Sequence, residues 1–149
     1  MDDLDIKIIG ILQRDGRASN AHIARNVAVS EGTIRRRLKR LLQDEVISIV
    51  GVPDPEVLGY ATEALIGVQV DPDKIDSVAE TLKTLHEATW VAITTGAYDV
   101  FMWVIIHSAD ELGIFLRTKV GPTPGVRRTE TFVSLTLKKR DVGLPPVTE

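Results

Sequence analysis

Five of the six residues from Arg35 to Arg40 carry a basic side chain, although the whole chain has a formal net charge of -3. Acidic neighbours at helical spacing are nearly absent: Glu31 precedes Arg35 by four residues, and Asp44 follows Arg40 by four. Like charges at this spacing repel one another unless a polyanion faces them. The cluster therefore indicates a surface that binds a polyanion. The alternative interpretation is a charged face in contact with solvent.

Three predicted helices position this cluster. The first spans about residues 3–14, the second begins after the N-cap residue Ser19, and the third runs from the N-cap residue Ser30 to about residue 44. Only the three residues 28–30 join the second helix to the third. Two short helices joined by so tight a turn are typical of a helix-turn-helix.

At 100° per residue, the third predicted helix has one apolar face and one basic face. The apolar stripe is expected to pack on the other two helices and consists of Ile34, Leu38 and Leu41. Arg37 lies nearest to that stripe, so we expect it to pair with an acidic residue of the first helix. The helix start and the outward face supply the predicted DNA contacts: Ser30, Thr33, Arg35, Arg36, Lys39 and Arg40.

The tight turn and the small residues at the start of the third helix, Gly32 and Thr33, favour double-stranded DNA as the polyanion. Such a helix enters the major groove by its N-terminal end, where Arg can bind guanine with two hydrogen bonds. One helix buries too little surface for tight specific binding, so we expect a dimer whose recognition helices are separated by about 34 Å or a multiple of it. Residues 46–52 are predicted to form a short strand that links subunits or orients the two DNA-binding units, as in a winged helix-turn-helix.

The second part of the chain differs from the first in charge. Residues 1–52 contain nine Lys/Arg and seven Asp/Glu, whereas residues 53–149 contain nine and fourteen. Pro53, Pro55 and Gly59 interrupt helical structure between the two parts. We therefore predict a helix-turn-helix domain over residues 1–52, a linker over 53–62 and a second domain over 63–149.

The second domain is predicted to follow the order β-α-β-β-α-β. Strand-like runs cover residues 63–70, 90–95, 98–106 and 126–137, and Gly96-Ala97 is the predicted turn of a hairpin. Asp71-Pro72-Asp73 opens one predicted helix, and Asp110 is the predicted cap of the other. This order is that of the ferredoxin-like fold, an antiparallel sheet with helices on one face, so the chain is predicted to be α+β.

Enzyme chemistry finds little support in the sequence. The three histidines, His22, His86 and His107, lack metal-ligand spacing, and no phosphate-binding Gly loop or nucleophile elbow occurs. We therefore expect no enzymatic activity, no cofactor and no metal. The chain has no cysteine and no apolar run near the roughly 20 residues that cross a bilayer. A cytoplasmic protein without a membrane partner is expected.

Three segments resemble the N-terminal half of the leucine-responsive regulator/AsnC family, also called the feast/famine regulators: LDIKIIGILQRDGRAS, HIARNVAVSEGTIRRRLKRL and DEVISIVGVPDPEVLGY. The resemblance continues into the second half and covers nearly the whole chain. Ala28 and Glu45 depart from the family pattern, since both stand where the family usually has Gly. A left-handed backbone at Ala28 would cost about 1 kcal/mol.

The resemblance implies a transcription regulator whose second domain assembles a homodimer, and then a tetramer or octamer, and binds an amino-acid effector between subunits. The matching stretch is TTGAYDVFMWV. The implied effector site takes Thr95, Gly96, Tyr98 and Asp99 from the hairpin, and Thr129 and Thr131 from the neighbouring subunit. Backbone N–H groups around a Gly turn can bind an α-carboxylate, and Asp99 can bind an α-ammonium. The alternative is a simple turn in which Asp99 accepts hydrogen bonds from loop amides.

Together, these patterns predict a sequence-specific DNA-binding transcription regulator, dimeric or higher, modulated by an amino acid or a related small metabolite. One alternative is an architectural protein that compacts DNA with little sequence preference and no effector. Another is a metabolic enzyme or an amino-acid-binding module whose helical unit serves only for dimerisation. The ratio of affinities for a selected site and for random DNA distinguishes the first two hypotheses.

Overall fold

The computed structural model describes residues 1–141 and 143–147. It divides the chain into two compact units, one formed by residues 1–52 with the described residues after Lys139, and one formed by Pro53–Lys139. The sequence predicted that the last segment belongs to the second domain. In the structure, this segment contacts the first unit, because Gln13 Nε2 donates to the carbonyl oxygens of Leu144 and Pro145 at 3.4 and 3.3 Å.

The first unit is a bundle of three helices, α1 Asp3–Arg14, α2 Asn20–Val27 and α3 Glu31–Gln43. Ser19 Oγ accepts from the backbone N–H of His22, and Ser30 Oγ accepts from that of Thr33, so both predicted N-caps are confirmed. One apolar cluster fills the centre of the bundle and consists of Ile8, Ile23, Ala24, Ile34 and Leu41. The predicted helix-turn-helix is therefore present.

Two residues that are not glycine adopt left-handed backbone geometry in this unit. Ala28, the C-cap of α2, has φ 55° and ψ 44°, and Glu45 has φ 54°. Both are positions where the resemblance implied glycine, and the strain expected at Ala28 is therefore present.

One copy of the chain has no strand over residues 46–52, and the described part of the first unit contains no strand. A β-strand needs a neighbour that accepts and donates its ladder hydrogen bonds, and one copy of this unit offers none. A strand over these residues that links two subunits therefore stays a prediction.

The second unit has the predicted ferredoxin-like order. Its elements are β1 Thr62–Val70, α4 Ile75–Leu82, β2 Ala88–Ile93, β3 Val100–Ile106, α5 Ala109–Phe115 and β4 Val126–Val133. A short π-helical turn, Leu116–Val120, continues α5. The four strands form one antiparallel sheet in the order β2-β3-β1-β4.

Alternating side chains of the two central strands bury one face of this sheet against the helices. The buried core combines the strand residues Ala64, Ile66, Val68, Val70, Val100, Met102, Val104 and Ile106 with helix residues that include Val78, Leu82, Leu112 and Phe115. Both helices thus cover the same face, as predicted. The opposite face of the sheet carries the other set of alternating residues and is hereafter called the helix-free face.

Several boundaries differ from those predicted. Ser108, rather than Asp110, caps α5, because Ser108 Oγ accepts from the backbone N–H of Glu111 at 3.2 Å. The helix expected from Asp71-Pro72-Asp73 begins only at Ile75, after a turn in which Lys74 N donates to Asp71 O. The last strand ends at Val133 instead of residue 137. No helix of the described chain is long and apolar enough to cross a membrane.

Candidate nucleic-acid interface and effector site

The outward face of α3 carries two basic side chains that have no ionic partner. Arg36 and Lys39 are exposed, and neither forms an ion pair within the described residues. Arg35 is 70% exposed and pairs with Glu31 at 3.0 Å, one helical turn away. Exposed pairs of this kind contribute little to stability, so Arg35 can exchange Glu31 for a phosphate at small cost. Three of the predicted contacts are therefore available to a polyanion.

Ser30 and Thr33 lie at the start of α3 but already hydrogen-bond to each other. Ser30 Oγ accepts from Thr33 N at 3.2 Å and lies 2.9 Å from Thr33 Oγ1. The Ser30 hydroxyl is therefore occupied by capping, which fixes the direction in which the helix N-terminus points. Thr33 is partly exposed and follows directly after Gly32, where an added Cβ would meet only Ser30 Oγ, at 4.0 Å.

The remaining basic residues of the cluster are bound to acidic residues at the start of α1. Arg37 Nη1 lies 2.6 Å from Asp2 Oδ2 and 3.1 Å from Asp5 Oδ1, which confirms the pairing expected for Arg37. Arg40 Nη2 lies 2.6 Å from Asp5 Oδ2. Arg40 was predicted as a DNA contact, but in the structure its guanidinium joins α3 to α1. Its side chain is long enough to reach back from a Cα on the basic face.

Asp2 and Asp5 form a capping box at the start of α1, in which each side chain accepts from the other residue's backbone N–H at 3.1 Å. The hydrogen bond from Arg37 lowers the pKa of Asp2 from 3.8 to about 2. Burial opposes ionisation of Asp5, but the hydrogen bonds from Arg37 and from the Asp2 backbone, with the charge of Arg40, outweigh it and lower its pKa. Both carboxylates are therefore charged at neutral pH. The same contacts raise the pKa of Arg37.

The sequence predicted an acidic partner for Arg37 in the first helix, but it did not identify which residue this is or that Asp5 also binds Arg40. A signal was present, since acids at the N-cap and N3 positions of a helix form a capping box and concentrate negative charge at one point. Only the fold shows that this point lies beside the basic helix.

The hairpin between β2 and β3 is longer than the predicted two-residue turn. It spans residues 94–99, because β2 ends at Ile93 and β3 begins at Val100. Asp99 O accepts from Thr94 N across the hairpin at 2.9 Å, and the backbone N–H of Asp99 donates to Val68 O of β1 at 3.0 Å. Thr95 and Gly96 lie exposed at its tip, with Gly96 at φ 109°.

The carboxylate of Asp99 is partly occupied. Its Oδ2 accepts from the backbone N–H of Val70 at 2.8 Å, at the point where the register of β1 with β4 shifts. This contact corresponds to the alternative in which Asp99 accepts from backbone amides. Asp99 Oδ1 accepts no hydrogen bond from any described residue, and so one oxygen of the half-buried carboxylate is available.

Tyr98 packs on the backbone of β1 and belongs to the helix-free face. A Cβ at Gly67 would lie 2.7 Å from Tyr98 Cγ, so only glycine allows this contact. The Tyr98 ring also makes edge contacts with Phe101 and Phe132, at centroid distances of 5.3 and 6.4 Å. The ring is thus held by apolar packing at one end of the sheet.

Thr129 and Thr131 lie on the other face of the sheet from Tyr98. They pair directly with Val68 and Ile66, whose side chains are buried under the helices, and directly paired residues share a face. One copy of the chain therefore does not bring the six predicted effector residues together. The hairpin group and the two threonines meet only if they come from different subunits, as the resemblance implied.

The helix-free face exposes large apolar side chains. Trp90 is 51% exposed and Phe132 46% exposed, and Trp103 lies between them in the sheet. The indole N–H of Trp103 donates to Glu63 Oε2 at 3.1 Å on this face. Contiguous apolar surface of this extent is typical of a protein-protein interface. The described residues contain no group of His, Cys, Asp or Glu that could hold a metal ion.

A basic recognition helix in a helix-turn-helix, joined to a ferredoxin-like unit with an uncovered sheet face, defines a DNA-binding transcription regulator. Residues 1–42 match the family model of the AsnC-type helix-turn-helix domain, and residues 63–144 match that of the Lrp/AsnC ligand-binding domain. The chain belongs to the Lrp/AsnC family of transcription regulators, so the resemblance in the sequence is confirmed.

Two known relatives align with nearly the whole chain. An uncharacterized HTH-type transcriptional regulator of Pyrococcus furiosus is 41% identical over 93% of this chain and 95% of the relative. HTH-type transcriptional regulator FL11 of Pyrococcus horikoshii is 37% identical over 97% of this chain and 96% of the relative.

Solved structures show the same architecture. AsnC of E. coli is 29% identical, with a TM-score of 0.85 over 94% of this chain and 95% of that one. A transcriptional regulator of Neisseria meningitidis in complex with L-Met is 24% identical, with a TM-score of 0.89 over 97% of this chain and 96% of that one. The second likeness establishes the fold alone.

Proposed function

We propose that the protein reads specific DNA sequences with the outward face of α3, and that Arg36 and Lys39 are its main contacts. One observation carries the proposal: these two side chains are exposed and have no ionic partner among the described residues, while the opposite face of the same helix is buried in the bundle. Arg36 contacts guanine, and Lys39 binds a phosphate as a point charge. Arg35 and Thr33 complete the contact surface beside them.

Ser30 and Arg40 contribute by positioning the helix. The Ser30 hydroxyl caps α3, and Arg40 holds α3 to Asp5 of α1. Half of the Arg40 side chain remains exposed, so a phosphate can approach the guanidinium while Asp5 holds it. Its contribution to DNA affinity is therefore smaller than that of Lys39.

The experiment is a gel-shift series at several salt concentrations with wild type, Arg36→Ala and Lys39→Ala. We expect Arg36→Ala to lose about 1–3 kcal/mol on the selected site and to relax base preference at one position. Lys39→Ala should weaken binding to all sequences and reduce the salt slope by about one. Lys83→Ala is the matched control, because Lys83 is exposed and lies in the other unit. If both α3 variants bind like Lys83→Ala, the placement of the interface is wrong.

A homodimer is the proposed DNA-binding form, and the helix-free face is its interface. Burying Trp90 and Phe132 against a second copy removes apolar surface from water, which one copy cannot do. Dimers of this kind present two recognition helices and assemble further to a tetramer or octamer. Trp90→Glu should shift the mass measured by light scattering towards the monomer, whereas Val57→Glu, at an exposed site outside the sheet, should not.

An amino acid or a related small metabolite is the proposed effector, bound at the hairpin. Support comes from the match of residues 63–144 to a ligand-binding domain and from the L-Met in the Neisseria meningitidis regulator of the same fold. The exposed amides around Gly96 suit a carboxylate, and Asp99 Oδ1 suits an ammonium. Thr95 and Tyr98 flank the ligand, and Thr129 and Thr131 of a second subunit close the site.

Calorimetric titration with each common amino acid tests this site. Asp99→Asn is the informative variant, because it keeps an oxygen that can accept from Val70 N while removing the charge that an ammonium needs. We expect binding of one or a few amino acids by wild type and a loss of at least tenfold in Asp99→Asn. Null titrations with every amino acid would leave the second unit as an assembly domain only.

The other candidate function is an architectural protein that compacts DNA. It predicts nearly equal affinity for a selected site and for random DNA at physiological salt, and the gel-shift series measures that ratio directly. We propose that the protein has no enzymatic activity and uses no cofactor. Its proposed location is the cytoplasm, where DNA is available in bacteria and archaea such as those that contain its relatives.

A further inference from the structure

A cavity of about 230 Å³ lies beside α5, on the helix side of the second unit. We call it the α5 cavity, and it is lined by Glu87, Ile106, Glu111, Ile114, Phe115, Thr118 and Lys119. Ile106 ends β3, whereas the hairpin with Asp99 precedes β3. The cavity and the proposed effector hairpin are thus at opposite ends of a strand that is about 20 Å long.

The walls of the α5 cavity combine an apolar surface with three charged groups. Ile106, Ile114 and Phe115 supply the apolar part. Lys119 Nζ donates to Glu87 Oε1 and lies 5.9 Å from the centre of the Phe115 ring. The carboxylate of Glu111 forms no ion pair with any described residue. The two carboxylates outnumber the single ammonium, so the cavity carries excess negative charge.

The carboxylate of Glu87 is incompletely satisfied. Its second oxygen, Oε2, is buried and has no hydrogen-bond partner among the described residues. Burial opposes ionisation of Glu87, but the hydrogen bond from Lys119, the backbone N–H of Glu87 itself and the nearby positive charge together outweigh it, and the pKa of Glu87 is lowered. A buried charged oxygen without a donor is costly and is rare in native proteins. A donor supplied by a ligand would remove that cost.

The backbone at this point is also unusual. Leu116–Val120 forms a π-helical turn directly after α5, and it carries both Thr118 and Lys119 of the cavity wall. Single π-turns of this kind are frequently found at functional sites. Lys119 is 43% exposed and has a flexible side chain, so it can turn outward and free Glu87 Oε1 for another donor.

We propose that the α5 cavity binds a small molecule that carries a primary ammonium group on a short apolar body. Glu111 and Glu87 accept hydrogen bonds from the ammonium, and Ile106, Ile114 and Phe115 pack on the apolar body. The volume lies below the range of about 300–1,000 Å³ that is typical of sites for drug-sized ligands, so the ligand has only a few carbon atoms. This site is separate from the hairpin and from the DNA-binding face.

Two sources can provide that ammonium, a simple amine or an α-amino acid. Three probes of matched size distinguish them: isopentylamine carries only the ammonium, L-leucine adds a carboxylate, and 4-methylpentanoate carries only the carboxylate. A carboxylate on the ligand would take Lys119 as its partner. If the amino acid is the source, Lys119→Met should therefore weaken binding of L-leucine relative to isopentylamine, whose binding should stay the same or tighten because Lys119 no longer competes for Glu87.

The test is methyl NMR of the full-length protein with labelled isoleucines, since Ile106 and Ile114 both line the cavity. We expect saturable shifts of the Ile114 methyl signal with isopentylamine or L-leucine, and none with 4-methylpentanoate. No saturable shift with either ammonium compound, or a preference for 4-methylpentanoate, would overturn the proposal.

Variants inside and outside the α5 cavity test whether the probes bind there. Glu111→Gln should weaken binding of isopentylamine and L-leucine at least tenfold. Because Glu111 is exposed, the variant should fold. Glu87→Gln should have a similar effect, while Glu80→Gln on α4 and Asp99→Asn at the hairpin should have none. Equal affinity in Glu111→Gln and Glu80→Gln would also overturn the proposal. DNA binding is measured separately on the same variants. A failure of the proposed DNA-binding function can therefore be distinguished from a failure of the proposed α5 cavity site.

Discussion

Arg40 of the recognition helix donates from Nη2 to Asp5 Oδ2 of α1 at 2.6 Å, and Asp5 is 1% exposed. The other oxygen of the same carboxylate lies 3.1 Å from Arg37 Nη1. A single buried carboxylate therefore holds two basic residues, three positions apart, on one helix. This divides the basic cluster of α3 into residues that fix the helix and residues that remain available to DNA.

Replacing the buried carboxylate should loosen the recognition helix. Asp5→Asn keeps the side-chain size but removes the charged partner of Arg40 and one of the two charged partners of Arg37, which keeps Asp2. We expect a loss of about 1–3 kcal/mol in the free energy of unfolding. The released Arg40 can then bind a phosphate, so the salt slope of non-specific DNA binding should steepen by up to about one. Urea denaturation and a gel-shift salt series measure the two effects.

Asp3→Asn is the control for this change. Asp3 is exposed in the first turn of α1 and forms no ion pair with a described residue, so its replacement alters the net charge equally. Equal stability of the two variants would contradict a structural role for the Asp5 contacts.

The first unit should lose stability at low pH through Asp2. Its pKa is lowered from 3.8 to about 2 in the folded protein, chiefly by the hydrogen bond from Arg37. A carboxylate with a lowered folded pKa contributes stability above the unfolded value, and this contribution disappears as the pH falls through the folded pKa. Wild type should therefore lose stability between about pH 4 and pH 2 more steeply than Asp2→Asn, in which Asn still caps the helix. Parallel curves of urea midpoint against pH would contradict the assignment.

Local signals in the sequence predicted much of the first unit. Ser19 and Ser30 were identified as caps because a hydroxyl at an N-cap binds an amide only three residues away. The stripe of Ile34 and Leu41 follows from helical periodicity alone, and both residues are buried. The contact of Arg40 with Asp5 was not predicted, because a helical wheel gives the direction of Cβ, whereas a guanidinium several bonds further out can reach another helix.

Long-range contacts limited the prediction elsewhere. The hairpin length depends on Asp99, whose hydrogen bonds to Val68 and Val70 join residues about thirty positions apart in the sequence. The residues 46–52 have the composition of a strand, but strand formation needs a partner that a single chain does not provide. The effector residues were predicted from the family resemblance. The pairing of Thr129 with Val68 and of Thr131 with Ile66 places these two threonines on the helix-covered face of the sheet, which the sequence pattern alone did not specify.

Replacing Gly32 should affect folding stability and DNA binding in opposite directions. An added Cβ there meets only Ser30 Oγ at 4.0 Å, so Gly32→Ala fits the free protein. Alanine in a helix is favoured over glycine by about 1 kcal/mol, and the variant should unfold at higher urea concentration. If the start of α3 approaches DNA closely, the same methyl group should weaken specific binding. Unchanged affinity in the gel shift would place the DNA contact farther along α3.

Glycine at the left-handed positions should stabilise the first unit. Ala28 has φ 55° and Glu45 has φ 54°, conformations that cost a residue with a Cβ about 1–2 kcal/mol. Part of this gain is offset by the greater freedom of glycine in the unfolded chain, so we expect about 0.5–1 kcal/mol for Ala28→Gly and for Glu45→Gly. Ala21→Gly, within α2, should instead destabilise. A loss of stability in Ala28→Gly, measured by urea denaturation, would show that the left-handed geometry carries no strain.

Gly67 should be required for the position of Tyr98 beside the effector hairpin. A Cβ at Gly67 would lie 2.7 Å from Tyr98 Cγ and 3.0 Å from Phe101 Cε1, closer than real side chains approach. Gly67→Ala must therefore displace the Tyr98 ring, with an expected loss of about 1–3 kcal/mol in stability. Gly16→Ala is the control, because its Cβ would meet Ile49 and Leu12 only at 3.8 Å. Shifted NMR signals of the Tyr98 ring, together with weaker amino-acid binding, are expected in Gly67→Ala alone. Unshifted ring signals would mean that Tyr98 is not held by this contact.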